Sequence, residues 1–284
     1  MAKTLLNTKQ VASLFRVDTS TIRRWSLNGQ LDCSSSRGGH RKFTYRNILD
    51  FINDKKQDLK LDLSQISTLT QKVPMTGYVE LISSNALSRN YKAIESILVE
   101  AYLKGIAVSK IFDEYLDKGL EHVQSLLDDG EISVAEEHIA RKTISIGLEH
   151  FRSAILKDKT DNNQNVLCLN LENDIPDIAI DMIQICLEMK SHSVYNSGSN
   201  TSIKGLKNLL NKTSYDSMYI FMCNRQCCSA TVQNHISHTV NSLEEINKMC
   251  EQFDIDLYIG GPATKLIDGE ISFKYNKFLK FSEI

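Results

Sequence analysis

The chain has 284 residues, 42% of them hydrophobic and 24% charged, with 13 Gly and 3 Pro. That is the size of two ordinary domains and the composition of globular protein, which excludes collagen-like, disordered and low-complexity classes. No stretch approaches the roughly 18 consecutive apolar residues of a membrane span, and the opening MAKTLLNTKQ lacks the apolar core of a secretory signal, so a cytoplasmic location is expected. The cysteines, Cys33, Cys168, Cys186, Cys223, Cys227, Cys228 and Cys250, are odd in number and scattered, which argues against a disulfide framework. The net charge of −2 conceals a division: residues 1–60 hold 12 Lys and Arg against 5 Asp and Glu, while the rest hold 21 against 30. A head at +7 joined to a body at −9 is the asymmetry expected of a nucleic-acid-binding module carried by something that stays off nucleic acid.

In chain order, Thr8 opens an apolar series, Val11, Leu14 and Phe15, at helical spacing. Asp18 to Thr21 offer capping side chains for a second helix through Ile22 and Trp25 that Asn28-Gly29 ends, which is helix-turn-helix spacing. Residues 31–45 predict a short hairpin turning at Ser34 to Gly39, and a further helix over 45–56 points Ile48, Leu49 and Ile52 inward. A polar stretch then suits a linker that lets the head move. Runs at 78–87, 90–104, 108–127 and 133–156 carry apolar residues three and four apart and predict a helical bundle.

From Asn165 the period changes. Strands near 166–169, 193–195, 218–222 and 257–259 alternate with helices over 176–189, 202–210 and 231–253, implying a parallel α/β sheet. The fold class is mainly α plus α/β: an N-terminal winged helix-turn-helix (1–57), a linker (58–76), a four-helix bundle (77–160) and a C-terminal doubly wound parallel-sheet domain (161–284).

Ser20, Thr21, Arg23 and Arg24 lie in the first half of the second helix, the half that enters the major groove in helix-turn-helix proteins, where Arg pairs with guanine. Arg37, His40, Arg41 and Lys42 flank Gly38-Gly39 in the hairpin, joining backbone freedom to positive charge suited to phosphates or an adjacent minor groove. Trp25 is the single tryptophan and is read as core rather than as a base-stacking platform. The series from Leu6 to Ala12, from Thr21 to Trp25 and from Gly38 to Phe43 resembles the winged-helix domain of MerR-type regulators.

Residues 130–138, ending in Glu137-His138, resemble the Glu-His motif of the four-helix cap over cobalamin-binding domains. With the head and the tail, the chain resembles the MerR-type, cobalamin-domain regulators of carotenoid genes, some of them light-responsive repressors. The resemblance implies a flavodoxin-like, cobalamin-binding-type third domain. It also implies a Trp on the ligand's upper face about ten residues before Glu137, where this chain has Leu127, which offers no flat aromatic surface.

The same resemblance implies an Asp/Glu-x-His-x-x-Gly series after the first strand of that domain. Its His binds cobalt, its acid orients the imidazole ring and its Gly leaves room for the nucleotide tail. Here the series reads Glu172, Asp174 and Asp177, so only the acid is kept. Phe221-Met222-Cys223 stand where the family has small hydroxyl residues, and Gly260-Gly261 resembles the family's glycine pair near the nucleotide. The expected cofactor is therefore none, with cobalamin opposed by Asp174 and Leu127.

Cys223, Cys227, Cys228, His235 and His238 offer thiolate and imidazole donors for a metal or an oxidant, but Cys-x3-Cys-Cys is no known finger spacing, and reduced thiols commonly pack. No phosphate-cradling loop, HExxH or GxSxG motif is present, so catalysis is not expected. The expected function is a sequence-specific DNA-binding regulator, a repressor by resemblance. Its partners would be a double-stranded DNA operator, further copies of the chain and a regulatory protein. The alternative is a regulator that senses cobalamin, another small molecule, a metal or light.

Overall fold

Asn7 starts the first helix, because its side chain accepts from the Gln10 N–H at 3.0 Å while Gln10 Oε1 accepts from the Asn7 N–H at 2.8 Å. The structure, a computed structural model, describes residues 5–36, 38–55, 77–156, 164–171, 178–198, 201–222 and 236–284. These divide into two compact units, Met1–Lys157 and Asp158–Ile284.

In the first unit, α1 (Thr8–Leu14) and α2 (Thr19–Leu27) are joined by a tight turn in which Arg16 takes φ +51° and the Val17 N–H reaches the Ala12 carbonyl at 2.9 Å. Asp18 holds the N-cap position of α2 without a side-chain cap bond, so the expected capping there is positional only. At its other end the Gly29 N–H bonds the Ser26 carbonyl and the Gln30 N–H the Trp25 carbonyl, with Gly29 at φ +67°, a left-handed cap that glycine supplies without strain.

Strands β1 (Leu6–Asn7), β2 (Ser34–Ser35) and β3 (Arg41–Phe43) form an antiparallel sheet in the order β1-β3-β2, pairing Ser35 with Arg41 and Leu6 with Phe43. Helix α3 (Tyr45–Lys55) follows, started by reciprocal bonds between Thr44 and Asn47. Ile48 and Leu49 are buried as expected, but Phe51 rather than Ile52 completes the inward face. Its ring lies 5.4 Å from Phe15 and 4.7 Å from Trp25, so the inward side of α3 is the one that meets this aromatic group.

The bundle is α4 (Tyr78–Leu87), α5 (Tyr91–Leu103), α6 and α7 (Val134–Ile155). Helix α6 is composite: Val108–Ile111, a π-helical turn Phe112–Leu116, and Asp117–Asp128. With the extra residue in the π turn, Ile111, Phe112, Leu116, Leu120 and Val123 are all buried, and the Phe112 ring meets the Phe151 ring edge-on at 6.3 Å. Asn90 and Ser133 cap α5 and α7, which is why these helices start within a residue of where the periodicity places them.

The head is docked on this bundle rather than set apart by the linker. Arg46 on α3 pairs with Asp50 at 3.0 Å and with Glu95 on α5 at 2.9 Å, and donates to the His150 carbonyl on α7 at 3.2 Å. Beside it lies a buried polar group, in which the Tyr78 hydroxyl donates to Glu100 at 2.9 Å while Lys104 Nζ donates to Tyr78 at 2.7 Å and pairs with Glu100 at 2.9 Å. Burial, and then the Glu100 charge, push the Tyr45 hydroxyl of α3 well above the usual phenol range.

In the second unit, β4 (Asn165–Leu169), β5 (Ser193–Asn196), β6 (Ser217–Phe221), β7 (Asp256–Gly260) and β8 (Asn276–Phe278) make a parallel sheet in the order β5-β4-β6-β7-β8. Alternation along the strands sorts the faces. Leu167, Leu169, Met218, Ile220, Leu257 and Ile259 pack with α9 (Ile203–Leu210) and α10 (Ile236–Phe253). Val166, Cys168, Tyr219, Phe221, Tyr258 and Gly260 occupy the opposite side of the same strands, and α8 (Ile178–Met189) packs with β4, β5 and β6. The fold is thus doubly wound and flavodoxin-like. No helix among the described residues is long and apolar enough to cross a membrane.

Candidate nucleic-acid interface

Helix α2 buries Ile22 and sets Trp25 edge-on to Phe15 at 5.8 Å, so the residues at the opposite angle are forced outward. Ser20, Arg23 and Arg24 are exposed on that side and Thr21 is half-buried at its margin. A helix repeat of 3.6 residues puts 20, 23, 24 and 27 on one stripe, so the face carries a fourth residue, Leu27, exposed at 74%. The helical spacing that sets Ser20, Arg23 and Arg24 on this stripe includes Leu27 as well.

The wing is built by the β2–β3 hairpin. Gly39 turns it at φ +74°, with the Gly39 N–H on the Ser36 carbonyl at 2.9 Å and the Ser36 N–H on the His40 carbonyl at 3.0 Å. His40 is exposed, and Arg41 and Lys42 are half-buried on β3, their ammonium and guanidinium groups carried by a strand paired on both edges. Arg37 lies outside the described residues. The structure therefore brings a cationic helix face and a cationic hairpin into one small head.

The residues expected at a corrinoid site are scattered in kind. Leu127 is half-buried near the end of α6. Glu137 is buried, 3.5 Å from the Arg141 guanidinium and 3.7 Å from His138 Nε2, a contact that is ionic only with His138 protonated; the His138 side chain is itself 68% exposed. Glu172, Asp174, Asp177, Cys223, Cys227, Cys228 and His235 lie outside the described residues, and His238 is exposed on α10. Cys168 and Cys250 are packed inside, and burial pushes the Cys250 thiol up to about 12.

Gly260 and Gly261 have a role that the sequence did not show. A Cβ on Gly260 would sit 2.3 Å from the Phe278 ring, and one on Gly261, at φ +95°, would sit 2.5 Å from the Met222 carbonyl oxygen. Phe221 stacks on Phe281 at 6.3 Å and 12°, and Tyr219 stacks on Tyr258 at 4.3 Å and 4°. The glycines thus admit the chain's own aromatic rings and backbone. At the carboxyl end of β4, Asn170 is fully buried; its Nδ2 donates to the Phe221 carbonyl at 3.1 Å, a side-chain bond that links the carboxyl ends of β4 and β6.

Comparison with known proteins divides along the same lines. Residues 6–72 match the family model described as MerR HTH family regulatory protein, and residues 80–152 match that described as B12 binding domain. No curated protein matches the sequence. Among solved structures, the monomethylamine corrinoid protein of Methanosarcina barkeri aligns with a TM-score of 0.55 at 14% identity over 74% of this chain and 96% of its own, which shows the fold. The methanol:cobalamin methyltransferase complex of the same organism (14% identity, 82% of this chain and 84% of that one) and a cobalamin-binding protein of Desulfitobacterium hafniense (13%, 72% and 94%) align with TM-scores of 0.35 and 0.33, too loosely to bear on it. The chain joins a MerR-type helix-turn-helix head to a helical module of the B12-binding type and a flavodoxin-like α/β unit.

Proposed function

We propose that this protein is a sequence-specific transcriptional regulator, a repressor, that binds a double-stranded DNA operator through α2 and the β2–β3 wing. The observation that carries the proposal is the exposed stripe of Ser20, Arg23 and Arg24 on a helix whose other side is locked into the head core. Arg suits bidentate pairing with guanine, and the wing cations suit phosphate. A head this small has a small footprint, so useful affinity calls for two or more heads from a homo-oligomer.

In this reading the α/β unit serves assembly or contact with a regulatory protein, without cobalamin and without catalysis. Support comes from Asp174 at the cobalt-ligand position, where a carboxylate replaces the expected nitrogen donor, and from Leu127 at the cap Trp position. It comes also from the glycine pair being taken up by Phe278 and the Met222 backbone. The match of residues 80–152 to a B12 binding domain favours the second reading, a regulator that still senses a corrinoid.

The test is binding of the full chain to a selected operator and to random DNA at several salt concentrations. Arg23→Ala is expected to cost about 1–3 kcal/mol on the operator, whereas Arg41→Ala weakens both DNAs and flattens the salt dependence. Equal losses on both DNAs for both variants would contradict this division of roles. Cobalamin absorbance retained through gel filtration after incubation with adenosylcobalamin would favour the second reading.

A further inference from the structure

Helix α2 ends in a residue that its own packing does not explain. Among the described residues Leu27 is the most exposed of the large apolar side chains, at 74%, although any polar helix former would complete the helix as well. The Gly29 cap holds Leu27 in its helical position, with the Asn28 N–H on the Arg24 carbonyl at 2.9 Å and the Gln30 N–H on the Trp25 carbonyl at 2.8 Å. A helical side chain leans toward the helix N-terminus, so the Leu27 isobutyl group lies over the turn that carries Arg23 and Arg24. An apolar group thereby stands on the same helix face as Arg23 and Arg24, the face assigned to DNA.

We propose that Leu27 reads the C5-methyl group of a thymine in the major groove, next to the base pairs read by Arg23 and Arg24. The inference rests on the reading of α2 as the DNA-facing helix, extends the reading stripe from the first half of that helix to its last turn, and adds the base that the face selects. Thymine alone among the four bases presents an apolar group in that groove, and aliphatic side chains are its natural partners. Leu27 lies four residues beyond Arg23, about 6 Å along the helix axis, so it reaches base pairs adjoining the one that Arg23 contacts. The operator should therefore hold a thymine within one or two base pairs of the guanine that Arg23 contacts. Leu27 completes the stripe as an apolar reader beside polar ones, which accounts for its exposure in the free protein.

The experiment uses the full chain and an operator selected from random DNA, with each thymine replaced in turn by uracil, which pairs identically but lacks the methyl. For the unsubstituted protein, uracil at one position per half-site is expected to weaken binding about fourfold, the worth of one buried methyl. Leu27→Ala should bind the thymine and uracil operators equally while keeping the guanine dependence due to Arg23. Equal sensitivity to uracil in the protein and in Leu27→Ala overturns the proposal. So does loss of operator binding by Leu27→Ala accompanied by a smaller sedimenting species, which would make Leu27 an assembly contact. Selection that recovers no preferred sequence would instead defeat the DNA-binding reading itself. Trp25 fluorescence checks that the head of Leu27→Ala is folded, and Leu27→Met, which keeps an apolar reader, should retain the thymine preference.

Discussion

If Gly260 serves the packing of β8 and not a ligand, a single methyl added there has a calculable effect. The Gly260→Ala Cβ would lie 2.3 Å from the Phe278 ring, where carbon atoms settle at about 3.5–4.0 Å, so the ring or the strand must move by more than about 1 Å. The ring has little freedom, since Phe278 is 3% exposed, its strand pairs with β7 at Gly260, and its carbonyl accepts from the Gly261 N–H at 3.3 Å. Overpacking of this kind costs about 1–3 kcal/mol. The backbone itself does not resist alanine, because Gly260 is not among the positive-φ glycines.

Phe278→Ala alone should cost about 3–5 kcal/mol. In the double variant the added methyl enters the space the ring has left, so the pair should cost about as much as Phe278→Ala alone, a coupling of about 1–3 kcal/mol. Urea unfolding followed by circular dichroism reads the α/β unit, while fluorescence of the single Trp, in the other unit, should not change. A neutral Gly260→Ala, or a double variant whose loss is the sum of the two, would refute the packing argument.

Three further outcomes are expected. Arg46→Ala removes the ion pairs to Asp50 and Glu95, and should lower the stability of the head, read by Trp25 fluorescence, by about 1 kcal/mol, with Glu95→Gln adding little in that background. Ser133→Ala breaks the capping box with Glu136, whose carboxyl the Ser133 N–H and hydroxyl hold below the usual range; thermal unfolding of the first unit should show a loss of about 1 kcal/mol, largely restored by Ser133→Asp. Burial, and then Lys190, hold the His192 imidazole below its ordinary range. The fold therefore resists its protonation: the stability is whole above the unfolded value of about 6.5 and is lost as the pH falls through the folded value. The urea midpoint of the α/β unit should decline less with acid in His192→Gln than in the unsubstituted chain.

The helices were legible because their signals are local. The bundle runs at 78–87, 90–104, 108–127 and 133–156 appear as Tyr78–Leu87, Tyr91–Leu103, Val108 to Asp128 and Val134–Ile155, since an amphipathic period and a cap side chain need no distant partner. Strands β1 and β8 escaped notice because two or three residues carry no usable alternation; Leu6 and Phe278 become strand residues only by pairing with Phe43 and Gly260. The docking of the head was equally hidden, as Arg46 and Glu95 are 49 positions apart and each reads alone as a solvated charge. Gly260-Gly261 resembles a nucleotide-binding pair in sequence, yet its spatial neighbours are aromatic rings and backbone of the same chain. On α2 the polar residues are conspicuous by type, while Leu27, at the same helical angle, is not.

The central claim, that this chain reads DNA through α2 without a corrinoid, is tested most directly by a nuclease footprint of cobalamin-free protein on its selected operator. The account predicts a protected site that is unchanged by adenosylcobalamin or light and is lost with Arg23→Ala. Protection that appears only when adenosylcobalamin is added, or that survives Arg23→Ala unaltered, would contradict it.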